Sequence, residues 1–261
     1  MSKTHHGSPC WYELSTAPGK LNEAETFYGK VLGWAFKDAG MEGFSYHLAS
    51  TGGDMVAGAM EMPDDVKDMP PFWMLYFAVT DADMAVAQME GAGAKLHRPV
   101  MPIPGTGRFA LLADLQGAAF GILEPEPMDS PGQGNAYNPR KVGHGAWNEL
   151  NTSDNKAAMG FYGKAFGWTS GQSMPMGDLG SYDLMQWQGA DIGAMCPLQP
   201  GGPKTPYWLP YFSVDGIDAA VDRIKAAGGT VLYGPVPVPD DTYIAQAKDP
   251  QGAMFAVVGP K

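Results

Sequence analysis

The sequence predicts an α+β protein built from four βαβββ modules that are arranged as two tandem halves. The block WYELSTAPGKLNEAETFYGKVLGW at residues 11–34 returns as WNELNTSDNKAAMGFYGKAFGW at residues 147–168. In addition, residues 76–125 align without a gap on residues 211–260 at a constant offset of 135, and 17 of the 50 pairs are identical. One such module cannot bury its sheet face alone, so the modules must pair to close a core.

Each module is predicted to contain a strand, a helix and three further strands. Residues 11–16 alternate as a strand does, and the apolar positions of residues 21–32 mark one face of a helix that Gly33 ends. The Gly52-Gly53-Asp54 segment has the chemistry of a tight hairpin turn. Strands are therefore expected at residues 34–36, 44–49 and 55–62, and then at 73–79, 95–98, 108–113 and 118–123 around a second helix that ends at Gly91 and Gly93.

The repeat sets the expected domain boundaries. A stretch rich in Pro, Gly and polar residues at 129–143 is typical of a linker. It separates a first domain, residues 1–128, from a second, residues 144–261. We number the modules 1 to 4, at about residues 9–62, 72–125, 145–197 and 207–260.

Composition restricts the class of partner. The chain is 44% hydrophobic and 17% charged, and its net charge is −11 without a basic cluster. This balance disfavours nucleic acids and anionic membrane surfaces, which attract clustered cations. No run of about 18 apolar residues is present, and the first ten residues lack the apolar core of a secretory signal, which favours a cytoplasmic protein. We expect a small neutral, cationic or aromatic ligand, two reduced thiols at Cys10 and Cys196, and a monomer or homodimer.

Three repeated motifs carry a resemblance to a known family. They are FYGKVLGW and FYGKAFGW, GAM at residues 58–60 and 193–195, and the terminal DLQGAAFGI and DPQGAMFAV. The chain resembles the vicinal oxygen chelate superfamily, which includes glyoxalase I, bleomycin-resistance proteins and extradiol dioxygenases, and it is most similar to the branch with two tandem glyoxalase-like domains. The resemblance implies cup-shaped sheets with helices outside and ligand on the concave face. Whether module 1 completes its cup with module 2 or module 4 stays open.

Strand alternation predicts which side chains face the ligand. Leu14 suits the helix side of the first strand, which leaves Trp11 and Glu13 on the other face. Arg108 lies at the start of a late strand, and Tyr243 holds the matching position in the other half. Arg108 is interpreted either as a partner for a carboxylate ligand or as a solvated charge at a strand edge. The predicted ligand-binding residues are Trp11, Met74, Tyr76, Arg108, Trp147, Leu209, Tyr211 and Tyr243.

The positions at which metal-dependent relatives carry ligands hold unsuitable residues. They fall on Trp11 and Trp147, on Met74 and Leu209, and on Gly121 and Ala256, none of which supplies imidazole or carboxylate. Glu61 is one surviving candidate, and its repeat counterpart is Cys196. The five histidines (His5, His6, His47, His97 and His144) do not recur between halves, although His6 or His144 could swing inward. We therefore predict no metal site and no cofactor.

Glu13 and Glu149 are the candidate catalytic residues. A carboxylate on a tryptophan-lined face is suited to act as a general base or to anchor a cationic ligand; the alternative is a structural carboxylate bonded to its neighbours. The leading hypothesis is a metal-independent protein that binds an antibiotic, a toxic metabolite or another aromatic or carbonyl compound. The alternative is a lyase, isomerase or hydroxylase-like enzyme that uses Glu13 or Glu149, or a divalent metal with unusual ligands.

Overall fold

The computed structural model describes residues 5–41, 43, 45–64, 66–126 and 135–261, and it confirms the α+β modules. Module 1 contains β1 (Pro9–Thr16), α1 (Leu21–Leu32), β2 (Ala35–Asp38), β3 (Tyr46–Thr51) and β4 (Asp54–Glu61). Module 2 contains β5 (Phe72–Ala78), α2 (Ala82–Gly91), β6 (Lys95–Ile103), β7 (Gly107–Ala113) and β8 (Ala119–Pro125). No helix in these described ranges is long and apolar enough to cross a membrane.

The second half repeats this order of elements. Module 3 contains β9 (Gly145–Thr152), α3 (Asn155–Phe166), β10 (Thr169–Pro175), β11 (Ser181–Trp187) and β12 (Ala190–Pro197). Module 4 contains β13 (Tyr207–Ser213), α4 (Ile217–Ala226), β14 (Thr230–Val238), β15 (Thr242–Lys248) and β16 (Met254–Gly259). As the sequence predicted, Gly33 ends α1 in the left-handed conformation, with φ 72°, and Gly167 does the same after α3.

The described strands form two eight-stranded mixed sheets. Their strand orders are β2-β3-β4-β1-β5-β8-β7-β6 and β10-β11-β12-β9-β13-β16-β15-β14. β1 runs parallel to β4, whereas β3 and β4 are antiparallel. Modules 1 and 2 thus share one sheet, and modules 3 and 4 share the other.

One strand is longer than the sequence predicted. The expected strand at residues 95–98 continues to Ile103, through Pro99 and Pro102. β6 is an edge strand, where a proline without an N–H removes no hydrogen bond that the sheet needs, and the register shifts around these residues. The expected strand at 44–49 is observed from Tyr46, and residue 44 lies outside the described residues.

The chain divides into two compact units that do not follow the order of the modules. Unit 1 comprises the described residues within Met1–Cys10, Leu75–Asp129 and Asn148–Trp208, so it contains most of modules 2 and 3. Unit 2 comprises those within Trp11–Met74, Ser130–Trp147 and Leu209–Lys261, and it contains most of modules 1 and 4. The domain boundaries at 128 and 144 therefore stay a prediction from the repeat.

A buried hydrogen-bonded trio lies in the core of unit 2. The Tyr28 hydroxyl on α1 donates to Asp249 Oδ2 at 3.1 Å and accepts from Trp73 Nε1 at 2.9 Å. Burial, and then the Asp249 charge, raise the pKa of Tyr28 well above its usual 10. Tyr28 is fully buried and packs against the rings of Trp34 and Phe255. The tyrosine of the FYGK motif thus joins module 1 to the Asp-Pro-Gln-Gly turn of module 4.

Unit 1 contains the same trio. The Tyr162 hydroxyl donates to Asp114 Oδ2 at 3.0 Å and accepts from Trp208 Nε1 at 3.2 Å. Trp73 and Trp208 are buried in these trios. The tyrosine of the second FYGK motif therefore joins module 3 to the Asp-Leu-Gln-Gly turn of module 2.

The glutamine of the same turn fixes the start of the neighbouring module's helix. Gln116 Oε1 accepts hydrogen bonds from the Thr152 hydroxyl at 2.5 Å and from the Asp154 backbone N–H at 2.7 Å. Asp154 is the N-cap of α3, where its side chain accepts from the Ala157 N–H. In unit 2, Gln251 likewise accepts from the Ala17 N–H and donates to the Lys20 carbonyl. The repeated terminal motif is thus a connector between modules.

We predict that Tyr28→Phe lowers the free energy of unfolding by about 1–3 kcal/mol, because it removes the hydroxyl that bonds the buried Asp249 Oδ2 and Trp73 Nε1. Urea unfolding followed by tryptophan fluorescence measures this change. Tyr233→Phe is the matched control, since Tyr233 is 55% exposed, and it should change stability little. Equal stability of Tyr28→Phe and wild type would contradict a structural role for the trio.

Candidate functional site

The first-strand glutamate of unit 2 takes part in a chain of hydrogen bonds. The Trp11 indole Nε1 donates to the Tyr46 hydroxyl at 2.8 Å, and that hydroxyl donates to Glu13 Oε2 at 3.0 Å. Trp11 and Glu13 lie two residues apart on β1, and both reach the same tyrosine, so both lie on one face of the strand. We call the set Trp11, Tyr46 and Glu13 the first relay.

Burial sets the protonation of the first relay. Desolvation of the phenol, followed by the nearby Glu13 carboxylate, raises the pKa of Tyr46 well above 10, although the Trp11 hydrogen bond opposes this rise. Tyr46 as a whole residue is half-buried, as are Trp11 and Glu13, so it is the hydroxyl end that is desolvated. At neutral pH the hydroxyl therefore keeps its proton and donates a hydrogen bond to Glu13.

Two glycines make room for tyrosine rings of neighbouring strands. A Cβ atom at Gly58 of β4 would lie 1.9 Å from the Tyr46 hydroxyl. In unit 1, a Cβ at Gly121 of β8 would lie 2.2 Å from Cδ1 of Tyr76. Neither position accepts any side chain while the tyrosine keeps its place. Tyr46 over Gly58 and Tyr76 over Gly121 thus occupy the space that a side chain at either glycine would need.

Unit 1 contains the repeat counterpart of the glutamate. Glu149 is 5% exposed; its Oε2 accepts from the Tyr182 hydroxyl at 3.1 Å, and its Oε1 accepts from Asn151 Nδ2 at 3.0 Å. Asn151 in turn accepts a bond of 3.5 Å from the Cys196 thiol. The Glu149 carboxylate is therefore held on both oxygens by side chains of its own unit.

Two further groups extend the Glu149 cluster. Burial, followed by the Glu149 charge, raises the pKa of the Cys196 thiol and of the Tyr207 hydroxyl. Both groups keep their protons at neutral pH. Cys10 and Cys196 are free cysteines, as the sequence predicted, and burial raises the pKa of Cys10 as well.

Sequence reasoning missed the two tyrosines that contact the glutamates. Tyr46 and Tyr182 each follow a serine, in SYHL and SYDL, and they are 136 residues apart, as are Glu13 and Glu149. This shared offset was the available signal. The contact itself joins strands 33 residues apart in the chain, and strand pairing is what local patterns do not specify.

The other ligand-binding predictions map to buried or paired side chains. Met74, Tyr76 and Leu209 are buried, and Trp147 is half-buried. Buried Tyr211 accepts a hydrogen bond of 2.8 Å from Gln246 Nε2. These side chains line strands, but no contact in the described residues assigns them a ligand.

Arg108 and Tyr243, which hold matching positions in the two halves, have different surroundings. Arg108 donates to Asp83 Oδ2 at 2.6 Å and to Glu124 Oε2 at 2.5 Å, and these hydrogen bonds raise the pKa of its guanidinium. An anionic ligand would therefore compete with two carboxylates for Arg108. Tyr243 is half-buried, and its ring centroid lies 5.5 Å from Lys261 Nζ.

The two histidines that could have turned toward the cup are held elsewhere. His144 is 2% exposed, and its ring nitrogens lie 3.1 Å from Asp54 Oδ2 and 3.1 Å from the Val142 carbonyl. Lys141 and Asn135 also donate to Asp54. His6 Nε2 lies 3.0 Å from the Ala165 carbonyl in unit 1. His144 thus belongs to a cluster around Asp54 in unit 2.

The donor set at the expected ligand positions does not fit a divalent metal. Trp11 offers only an N–H donor, which Tyr46 already accepts. Gly121 carries no side chain, and Leu209 and Ala256 are apolar and buried. Within the described ranges, no group of three or more His, Cys, Asp or Glu side chains is placed to hold a metal ion. The polar chemistry of this face therefore rests on hydrogen bonds to the glutamates.

Two open clefts lie in unit 1. A cleft of about 370 Å³ lies between His6, Phe166 and Trp187. A second, of about 520 Å³, lies along the first turns of α3 beside Asn155 and Asp183. Neither cleft is lined by a residue that the sequence assigned to ligand binding.

Comparison with known proteins places the chain among proteins of one superfamily. A sequence profile described as Glyoxalase/Bleomycin resistance protein/Dioxygenase superfamily matches residues 15–122 and 141–257. The putative glyoxylase CFP32 of Mycobacterium tuberculosis is 32% identical over 99% of this chain and 97% of its own length. The anthracycline biosynthesis protein DauV of Streptomyces sp. is also 32% identical, over 99% of this chain and 95% of its own.

Solved structures share the fold at low sequence identity. The 2,3-dioxygenase LapB of Pseudomonas sp. KL28 aligns with a TM-score of 0.67 at 13% identity, covering 98% of this chain and 93% of that one. The Mn(II)-bound glyoxalase of Novosphingobium aromaticivorans aligns with a TM-score of 0.64 at 16% identity, covering 99% and 83%. At these identities the likeness concerns the fold alone.

We predict that Asp54 stabilises the fold at neutral pH and loses this effect in acid. Hydrogen bonds from Lys141 and Asn135, with a smaller one from His144, hold the pKa of Asp54 at about 2, below its usual 3.8. A carboxyl whose pKa is lower in the folded state stabilises the protein above its unfolded pKa, and this contribution is lost as the pH falls from about 4 to about 2. Urea unfolding between pH 4 and pH 2 should therefore show a steeper loss for wild type than for Asp54→Asn.

The control for this experiment is Asp64→Asn, whose side chain is fully exposed. Its stability should follow that of wild type across the same pH range. Parallel curves for wild type and Asp54→Asn would show that the cluster adds no pH-dependent stability.

Proposed function

Because the chain belongs to the Glyoxalase/Bleomycin resistance protein/Dioxygenase superfamily, we propose that it binds a small aromatic or carbonyl compound on the sheet face shared by Trp11 and Glu13. The observation that carries this proposal is the first relay, in which Tyr46 joins the indole to the carboxylate. An aromatic wall beside a small number of fixed polar groups is the usual composition of a small-molecule site.

The chemistry of the first relay favours a flat ligand that carries a donor or a positive charge. The half-buried indole of Trp11 offers a face for stacking. Glu13 accepts hydrogen bonds, and the net charge of −11 attracts cations while it repels anions. A flat aromatic carbonyl compound, neutral or cationic, suits these groups better than an anionic ligand does.

The relatives support the same ligand class. One is named an anthracycline biosynthesis protein, and anthracyclines are polycyclic quinones, many of which carry an amino sugar. Trp11 holds the first-strand position and cannot ligate a metal, which is compatible with binding that needs no metal. The proposed role is capture of such a compound within a cytoplasmic protein.

A second candidate is an enzyme, and the same relay is the observation that favours it. The Tyr46 hydroxyl donates a hydrogen bond to Glu13 and so orients the carboxylate, which is placed to accept a proton from a bound carbonyl compound. A relative named a putative glyoxylase supports this candidate. The candidate reaction is an isomerase- or lyase-type proton transfer.

We predict that Glu13→Gln weakens the binding of daunorubicin, a cationic anthracycline, by about 10- to 100-fold. Loss of a hydrogen bond to a charged group costs about 1.5–3 kcal/mol. Tyr46→Phe should weaken binding by about tenfold, because it removes one neutral hydrogen bond. Quenching of tryptophan fluorescence and titration calorimetry measure both constants, with neutral 1,8-dihydroxyanthraquinone as the comparison ligand.

Glu90→Gln, on the exposed side of α2, is the control that removes the same charge. It should bind as wild type does. Equal affinity of wild type and Glu13→Gln would show that the first relay does not take part in ligand binding. Turnover of either quinone would favour an enzyme over a binding protein.

We further predict that protein purified without chelator contains well under one divalent ion per chain, because the expected ligand positions supply no suitable donors. Elemental analysis by plasma mass spectrometry measures the metal content. Binding of daunorubicin should be the same before and after dialysis against EDTA. One equivalent of Mn, Fe, Ni or Zn, lost together with binding on dialysis, would contradict the proposal.

A further inference from the structure

Three side chains of module 1 meet on the side of β3 that faces α1. His47 Nδ1 is hydrogen-bonded to Glu25 Oε1 on α1, and His47 Nε2 lies 3.3 Å from the Ser45 hydroxyl. Ser45 lies just before β3, and its hydroxyl reaches His47 on the α1 side, whereas Tyr46 between them points to the face of Glu13. This cluster is therefore separate from the first relay.

The donor and acceptor capacities of Glu25, His47 and Ser45 determine the direction of each hydrogen bond. An ionised glutamate only accepts, so the neutral imidazole places its proton on Nδ1 and leaves Nε2 as the acceptor. The partner of Nε2 is the Ser45 hydroxyl, which must then donate. A serine that donates to a histidine, which in turn donates to a carboxylate, is the order of contacts found in nucleophilic hydrolases.

Burial divides the cluster into a shielded base and an accessible nucleophile. The side chains of His47 and Glu25 are 19% and 20% exposed, whereas Ser45 is exposed. Asp38 lies opposite His47 in the neighbouring strand β2, and its carboxylate accepts from the Gly40 N–H. Two carboxylates at this surface disfavour anionic substrates and leave neutral or cationic ones.

The equivalent position in module 3 provides an internal comparison. There the serine, Ser181, donates to Asp183 at 2.8 Å. Burial alone would raise the pKa of Asp183, but hydrogen bonds from Ser173, Asn155 and Ser181 hold it below the usual value. Asp183 is thus a weak base, and the residue at the position of Glu25 is Met159. Module 3 keeps the serine and lacks the base.

We propose that Ser45, His47 and Glu25 form a second site that hydrolyses activated esters, such as neutral aryl esters. Ser45 Oγ attacks the ester carbonyl carbon while His47 Nε2 takes the hydroxyl proton. The bond from that carbon to the aryloxy oxygen breaks, and His47 returns the proton to the leaving phenol. Water then attacks the acyl-serine by the same route, which releases the carboxylic acid and restores Ser45. The sum is ester plus water giving acid plus phenol.

The test uses the full-length protein, with 4-nitrophenyl acetate as substrate and a fluorophosphonate as the covalent probe. The expected result is modification of Ser45, located by mass spectrometry of tryptic peptides. Ser45→Ala and His47→Ala each lower kcat/KM by about 100-fold or more, the range for loss of a general base. Glu25→Gln lowers kcat by at least about tenfold with KM unchanged, because His47 loses the group that fixes its tautomer.

Ser181→Ala is the matched control and keeps the wild-type rate and labelling. Thermal unfolding of every variant checks that the fold is retained. The proposal is overturned if Ser45→Ala, His47→Ala or Glu25→Gln hydrolyses the ester at the wild-type rate, or if the probe labels Ser45 equally in the absence of His47. The first relay consists of Trp11, Tyr46 and Glu13 and does not include the Ser45 side chain, so binding of daunorubicin to Ser45→Ala reports on that relay separately.

Discussion

Both compact units depend on one buried hydroxyl that both donates and accepts. Tyr28 joins Asp249 and Trp73, and Tyr162 joins Asp114 and Trp208. A buried carboxylate is costly unless it is hydrogen-bonded, so each trio holds only when the two modules lie in one register. The FYGK helix and the Asp-X-Gln-Gly turn recur in the sequence because they are the two sides of this contact. These repeated segments therefore indicate how the modules associate. Because they are used for packing, the chemistry of a functional site must come from other residues.

Those other residues lie on the sheet face opposite the helices. Tyr46 rests over Gly58 and Tyr76 over Gly121, and in both places the absence of a Cβ is what admits the ring. The rings of Tyr46 and Tyr76 fill the space that side chains at these two glycines would need. Trp11, on the first strand, donates a hydrogen bond to Tyr46. The result is a face whose polar chemistry rests on a carboxylate with fixed donors. This arrangement suits hydrogen-bonded recognition of a flat molecule.

The two halves have diverged most where the core does not constrain them. Glu149 is buried and bonded to Tyr182 and Asn151, whereas Glu13 is half-buried beside Trp11. On the helix side of the third strand, module 1 carries an imidazole where module 3 carries a carboxylate. Because successive residues of a strand point to opposite faces, one short segment, Ser45 to His47, serves two surfaces with different chemistry.

Local pattern predicted the order and type of the elements and placed Trp11 and Glu13 on one face of β1. The spacing of Leu21 to Leu32 determined α1, and alternation along β1 put Trp11 and Glu13 on one side, because both periodicities are set within a few residues. The sequence also predicted that most positions of the usual metal ligands hold other residue types, since residue identity alone decides donor chemistry. Only the tertiary structure decided that Tyr46 meets Glu13, that Glu25 meets His47, and that modules 1 and 4 share a core. Each of these contacts depends on the register between segments distant in the chain, which no local periodicity encodes.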